Sequence, residues 1–451
     1  MLMKPGSRKY GELLGVTGNP IFPSKSPFMF NSLFQAMRIN KFLHYIKIAA
    51  NTPEEAMFLF KELDLMGMNV TAPFKNSIMA HLDKVDRTAV KIGGVNTVVR
   101  GENNIKGYNT DHFGVTEALK TAGRGINLKG KKCLVLGAGG AGRAAVYGLL
   151  KEKAIVILVN RTYSKAIQAA KDFGCGAQEI SSLQNLLKET DILVSTLPAA
   201  ADIIPAEWLR KGLVVLDANY KKTSLCIKAK ERECMVVRGE EWLLHQARPA
   251  YEYFMGAPPK EPGYFEVVKH FLLAMLPTPP PQNIALVGFM GCGKSYIGKM
   301  LAEKLGLVFK DGDELLEKAT GFSIPEIFRK YREEVFRGWE NMVLMRELTL
   351  DKGVVYACGG GVVLEPENLR ILKDNSLVIW LYSSIPTSLK RIPKGTRPLL
   401  DCEVPEIDAQ RILNERLFRY GQAADLVVSS EGEASQVVEK IIDEIGQLFK
   451  H

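Results

Sequence analysis

The sequence has little of what marks a secreted, membrane-spanning or disordered chain. Its seven cysteines stand at 133, 175, 226, 234, 292, 358 and 402, and no two form a CxxC pair. An odd, scattered set argues against a disulfide framework or a zinc ribbon and fits free thiols in a reducing compartment. No uninterrupted apolar run approaches the ~18–20 residues of a membrane span. The opening Met1-Leu2-Met3-Lys4-Pro5-Gly6 has no apolar stretch, so no secretory signal is expected and the expected location is cytoplasmic. With 46% hydrophobic and 24% charged residues, the composition is that of a globular protein. A Lys/Arg-rich block is also missing. The net charge of +9 divides into +12 over residues 1–281 and −3 over the rest. A basic half raises nucleic-acid binding. Because its charges are dispersed, small phosphorylated or carboxylated ligands are the better reading, and neither a nucleic-acid nor a membrane partner is expected.

What is present begins with length. At roughly 100–200 residues per domain, 451 residues predict two to four domains. Leu276-Pro277-Thr278-Pro279-Pro280-Pro281-Gln282 can be neither helix nor central strand, so it is expected to be a semi-rigid linker over 276–282. Directly after it, Asn283–Val287 reads as a buried strand. Gly288-Phe289-Met290-Gly291-Cys292-Gly293-Lys294-Ser295 follows, and Tyr296–Leu305 reads as a helix. This is GxxxxGKS in its required strand–loop–helix context. Glycines let backbone N–H groups wrap a phosphate, and the helix N-terminus adds a favourable dipole. Lys294 is expected to reach the β/γ-phosphates of ATP and Ser295 to bind Mg²⁺. Asp311-Gly312-Asp313 comes after the next strand. It offers two carboxylates for a metal or for an acceptor hydroxyl, or else a surface turn that caps a helix.

Further on stand Phe336-Arg337-Gly338-Trp339-Glu340, the triple glycine Gly359-Gly360-Gly361, Arg397-Pro398-Leu399-Leu400, and Arg416 four residues before Tyr420. In this order the motifs resemble shikimate kinase over about residues 283–450. The resemblance implies a small α/β domain with a parallel sheet of the nucleoside-monophosphate-kinase type. It implies that Gly291, Cys292, Gly293, Lys294, Ser295 and Tyr296 hold the nucleotide and that Ser295 and Asp311 lie at the metal. Asp313 would bind the shikimate hydroxyls and act as candidate base. Arg337 and Arg416 would pair with the carboxylate, and Gly359, Gly360 and Gly361 would give backbone contacts to the ring. Arg397 would sit on a lid over the phosphates, and Arg391 would stack on adenine.

The N-terminal part carries a second nucleotide signal. Lys131–Leu136 is strand-like, Gly137-Ala138-Gly139-Gly140-Ala141-Gly142 follows, and Arg143–Leu150 continues as a helix. This is the dinucleotide-binding GxGxxG, with glycines for the tight turn and the close approach of a pyrophosphate. The next strand ends at Asn160-Arg161-Thr162. A basic Arg161, where an NAD site usually has an acid, suits a 2′-phosphate and so NADP(H). Lys165 either assists or is a solvated helix lysine. Before residue 112 come Ser24-Lys25-Ser26, Asn69-Val70-Thr71-Ala72-Pro73-Phe74-Lys75, Gly94-Val95-Asn96-Thr97 and Asn109-Thr110-Asp111. These are either polar clusters for a polyhydroxylated acid or ordinary turn chemistry.

Together with Gly239–Gln246, these segments resemble shikimate dehydrogenase over about residues 8–256. The resemblance implies an α/β chain with a substrate domain at 1–110 and 240–275, a Rossmann NADP-binding domain inserted at 111–239, and the kinase domain at 283–451. It implies that Ser24 and Ser26 bind the substrate carboxylate, that Thr71, Asn96 and Gln246 bind hydroxyls, that Tyr220 contacts substrate, and that Lys75 and Asp111 form the catalytic pair. The expected function is then bifunctional: reduction of 3-dehydroshikimate with NADPH, and 3-phosphorylation of shikimate with ATP and Mg²⁺. Two alternatives stay open. One is a ligand-sensing regulator with enzyme-like domains. The other is quinate dehydrogenase activity in the first half.

Overall fold

The computed structural model describes residues 10–123, 125–220, 222–259, 263–274, 281–393, 400 and 404–448. They fall into two compact units, one drawn from Ala72–Met275 and the other from Pro5–Thr71 together with Leu276–His451. The division runs inside the 1–110 segment expected for the substrate domain. Of the expected linker, only Pro281 and Gln282 are among the described residues. The chain opens with β1 (Glu12–Gly18), β2 (Leu43–Ala49) and β3 (Gly67–Val70), with β1 parallel to both others. Every β1 residue is buried, as fits a parallel strand covered on both faces.

In the first unit, β4 (Lys84–Val85), β5 (Thr97–Arg100) and β6 (Ile105–Tyr108) form a small group, β6 being antiparallel to β5 and parallel to β4. The dinucleotide-type sheet follows. It contains β7 (Lys132–Leu136), β8 (Ile155–Val159), β9 (Gly176–Gln178), β10 (Ile192–Ser195), β11 (Val214–Asp217) and β12 (Met235–Val237). All are parallel, in the order β12-β11-β10-β7-β8-β9. The winding reverses at β7, and the C-terminal ends of strands at such a reversal are where open α/β sheets bind ligands. The helix Gly140–Lys151 starts there. On its buried face a Cβ at Gly148 would lie 2.8 Å from the His112 carbonyl oxygen. Glycine therefore lets this helix pack closely on the helix Asp111–Thr121, which ties the position of Asp111 to that of the glycine loop.

The second unit holds β13 (Asn283–Val287), β14 (Val308–Asp311), β15 (Val354–Ala357), β16 (Ser376–Tyr382) and β17 (Leu426–Ser429), all parallel in the order β14-β15-β13-β16-β17. The sheet does not stop at β17. That strand pairs in parallel with β2 through Val427↔Ile48 and Val428↔Ala49. Side chains back this seam: the Tyr382 hydroxyl donates to Glu62 Oε2 at 2.7 Å, and Lys440 pairs with Glu55. A Cβ at Gly421 would lie 2.6 Å from Leu13, so the helix Pro405–Ala423 sits tightly on β1. Residues 10–71 thus fold with a sheet that begins far later in the chain. Among the described residues no helix is long and apolar enough to cross a membrane.

Candidate functional site

In the first unit the polar clusters converge. Lys75 Nζ lies 2.5 Å from Asp111 Oδ2, with the Asp111 side chain 3% exposed and that of Lys75 15%. Asp111 begins its helix, where the dipole favours a carboxylate. Asn96 is buried beside it. Its amide nitrogen donates to Asp111 Oδ1 at 3.0 Å and lies 2.9 Å from Thr110 Oγ1 and 3.1 Å from Gln246 Oε1. Its oxygen accepts the Thr110 N–H at 2.7 Å. Asn96 therefore fixes one carboxylate oxygen and leaves the other to Lys75. Burial, with Asp111 and Glu240 adding to it, pushes the Tyr220 hydroxyl above its usual range.

The glycine loop lies against this pair. Gly137 has φ +103°, and a Cβ at Gly142 would fall 1.8 Å from the Gly137 carbonyl oxygen, so both positions require glycine. Asn160 braces the loop: its side-chain oxygen accepts the Ala138 N–H at 3.1 Å and its amide donates to the Thr162 carbonyl at 2.9 Å. Arg161, Thr162 and Lys165 are exposed beyond β8. A Cβ at Gly140 would lie 3.2 Å from Lys75 Cδ, so Lys75 touches the dinucleotide loop with its stem and Asp111 with its ammonium. Gly139 and Ala141 complete the loop, and a Cβ at Gly139 would meet nothing within 4 Å.

Ser24, Ser26 and Thr71 belong to the second unit. They follow the C-terminal ends of β1 and β3, and Ser24 Oγ accepts the Ser26 N–H at 3.3 Å. In the same unit the P-loop joins β13 to the helix Lys294–Leu305. Lys294 Nζ donates to the carbonyls of Gly288 at 2.9 Å and Phe289 at 3.0 Å. Ser295 Oγ donates to Asp311 Oδ2 at 2.5 Å, while Asp311 Oδ1 accepts the Asp313 N–H at 3.0 Å. Asp311 thus caps the next helix, though from a buried position rather than a surface turn, and stands as a ligand candidate. A hydroxyl, a carboxylate and substrate phosphates are the donors Mg²⁺ takes in kinase sites, so Ser295 and Asp311 fit that ion.

These residues line a cleft of about 1240 Å³ with Gly291, Gly293, Tyr296, Asp313 and Arg391. Cys292, expected to hold the nucleotide, is fully buried and does not line the cleft; its carbonyl accepts the Ser430 hydroxyl at 2.8 Å. Arg391 donates to the Ser430 carbonyl at 2.9 Å, which fixes its guanidinium on the cleft wall. A smaller neighbouring pocket is lined by Asp313, Arg337, Glu340, Gly359, Gly360, Gly361 and Arg416. Arg416 donates to the Gly360 carbonyl at 2.9 Å. Arg397 lies outside the described residues.

The sequence reading gave Glu340 no role, although it stands in the FRxxE segment. It is buried and pairs with Arg337 at 2.7 Å, three residues earlier on the helix Glu333–Thr349. Burial holds the Glu340 carboxyl above the usual carboxylate range, and the Arg337 guanidinium offsets this only in part. Its Oε1 has no hydrogen-bond partner among the described residues. An i,i+3 Arg–Glu spacing was the available signal. Arg337→Met is expected to destabilise the protein by about 3–5 kcal/mol, because it strands a buried carboxylate. Urea unfolding checks this, and an unchanged midpoint contradicts it.

The first site defines a dinucleotide-dependent oxidoreductase, and the second a P-loop phosphotransferase. Three family models match the chain: the shikimate dehydrogenase substrate binding domain over residues 16–98, shikimate / quinate 5-dehydrogenase over 117–220, and shikimate kinase over 290–446. A shikimate dehydrogenase (NADP(+)) of Pyrococcus furiosus is 34% identical over 271 residues, 59% of this chain and 96% of that one. One from Aquifex aeolicus is 37% identical over 250 residues, covering 54% and 91%. The crystal structure of the Aquifex aeolicus shikimate dehydrogenase superposes with a TM-score of 0.54 at 35% identity, over 58% of this chain and 98% of that one. The chain belongs to the shikimate dehydrogenase family and carries a shikimate kinase domain behind it. It is an enzyme that joins an NADP-dependent shikimate dehydrogenase to a shikimate kinase.

Proposed function

We propose that the chain catalyses two consecutive steps: reduction of 3-dehydroshikimate to shikimate with NADPH, then phosphorylation of the shikimate 3-hydroxyl with ATP. One observation carries the reading. In each site a reactive side chain belongs to both halves of the machinery. Lys75 meets Asp111 and the dinucleotide loop, and Asp313 lines both the nucleotide cleft and the arginine pocket.

In the first reaction Lys75 gives a proton to the carbonyl oxygen as the carbon gains hydride, and Asp111 stabilises the ammonium that donates it. Bound NADPH supplies that hydride. Ser24 and Ser26 hold the carboxylate, Thr71, Asn96 and Gln246 the hydroxyls, and Tyr220 donates from its neutral hydroxyl. In the second reaction Arg337 and Arg416 hold the carboxylate, Asp313 takes the proton of the attacking hydroxyl, and Lys294 neutralises phosphate charge. Ser295 and Asp311 would hold Mg²⁺, which when bound would supply further neutralisation of phosphate charge. Residues 1–110 with 240–275, 111–239 and 283–451 are the proposed substrate, NADP and kinase domains. The free thiols of the six described cysteines agree with work in the cytoplasm.

The test supplies the purified chain with shikimate and NADP⁺, and separately with shikimate, ATP and Mg²⁺, and follows NADPH and ADP. Neither product forming, with shikimate still bound, turns the chain into a sensor. Faster turnover of quinate with NAD⁺ overturns the substrate and cofactor assignment. The exposed Arg161 gives a narrower check. Arg161→Ser is expected to lower the NADP⁺-over-NAD⁺ preference by roughly 10–100-fold, the worth of one charge-assisted phosphate contact. The ratio of kcat/KM values reads it, and an unchanged ratio removes Arg161 from the phosphate site.

A further inference from the structure

The helix Ala434–Gly446 lines the kinase cleft at its start, through Ala434, Ser435 and Gln436. Glu444 sits at the other end and does no work in that cleft. It is 3% exposed. Its Oε1 accepts the Ile21 N–H at 2.9 Å, and its Oε2 accepts the N–H groups of Ile21 at 3.0 Å and Phe22 at 2.8 Å. Lys47 of β2, near enough to Glu444 to interact with it electrostatically, donates to the Phe22 carbonyl at 2.6 Å and lies 4.4 Å over the Phe22 ring. Two charged side chains from distant parts of the sequence thus take both backbone groups of one loop residue. A buried carboxylate is costly unless donors satisfy it, and here the donors are the loop's own N–H groups.

The hydrogen bonds continue into the loop. The Ile21 carbonyl accepts the Ser24 N–H at 3.0 Å, and Ser24 Oγ accepts the Ser26 N–H at 3.3 Å. An unbroken run therefore leads from the last kinase helix to the two serines assigned to the dehydrogenase substrate. We infer that Glu444 is a positioning residue of the dehydrogenase reaction: from the kinase part of the chain it sets the turn that presents Ser24 and Ser26 to the substrate carboxylate. The inference rests on the reading of those serines as the carboxylate site. Its consequence is that the kinase part contributes to substrate affinity in the first reaction and leaves the proton and hydride steps alone.

The test compares full-length Glu444→Ala, Glu444→Gln, Lys440→Met and the double variant Ser24→Ala/Ser26→Ala. Glu444→Ala is expected to raise the dehydrogenase KM for shikimate about tenfold, the loss of the charge-assisted bonds from two N–H groups of a loop that other contacts still hold. Its kcat, its KM for NADP⁺ and both kinase constants are expected to stay within about twofold. Glu444→Gln keeps one acceptor oxygen and should fall about midway. Lys440→Met breaks the neighbouring contact to Glu55 without touching the loop, and should leave KM unchanged. An unchanged KM in Glu444→Ala, while the serine variant raises it, overturns the inference and leaves the serine reading standing. An unchanged KM in the serine variant overturns both. An equal rise in Lys440→Met, or a fall in both activities together with thermal stability, assigns the effect to helix docking and overturns the positioning role.

Discussion

Lys294→Ala is expected to cut ADP formation by about 10²–10³-fold, the usual loss when one preorganised charge donor is removed from a transition state. NADPH formation from shikimate should be unchanged, since among the described residues the hydrogen bonds of Lys294 go to its own loop, to the Gly288 and Phe289 carbonyls and Cys292. Those same bonds raise a structural question, because the ammonium also ties the loop together. Lys294→Arg separates the two roles: it keeps a cation near the carbonyls but misplaces it for the phosphates. The expected result is a nearly normal unfolding midpoint with a kinase rate still far below wild type. Full kinase activity in either variant contradicts the assignment.

Lys75→Ala is the mirror experiment. General acid–base groups contribute roughly 10²–10⁴-fold, so NADPH formation should fall by that factor, mostly in kcat, with ADP formation intact. The Lys75 stem packs on Gly140, and its loss alone would loosen the dinucleotide loop. Lys75→Met keeps most of the stem and drops the ammonium, so it should be as inactive as Lys75→Ala while binding NADP⁺ normally. If Lys75→Met retains most of the wild-type rate, the side chain acts by packing, and the proton relay must lie elsewhere.

The two phosphate loops were legible in the sequence because a backbone cradle demands glycine at fixed spacing. The structure shows the demand directly at Gly137 and Gly142. Lys75 and Asp111 were legible only through family resemblance, since a lysine and an aspartate 36 residues apart carry no local pattern. Asn96 was read as a hydroxyl ligand, and the structure adds that it fixes one oxygen of Asp111. Glu340 was passed over because its importance comes from burial, which the periodicity of its helix does not reveal. The joining of β17 to β2 left no signal at all. Ladder hydrogen bonds use backbone groups that every residue owns, and Val427 and Ile48 would read as buried strand residues beside any partner.

That seam also bears on how the chain is made. Ile48 and Val428 belong to strands about 380 residues apart. At synthesis rates of ~5–20 residues per second, β2 emerges roughly 20–75 seconds before the strand that covers it. During that interval its outer row of N–H and C=O groups is an open template for another chain. A ribosome that stalls in the kinase coding region would therefore release more than an unfinished kinase: it would release a dehydrogenase segment with an uncapped edge.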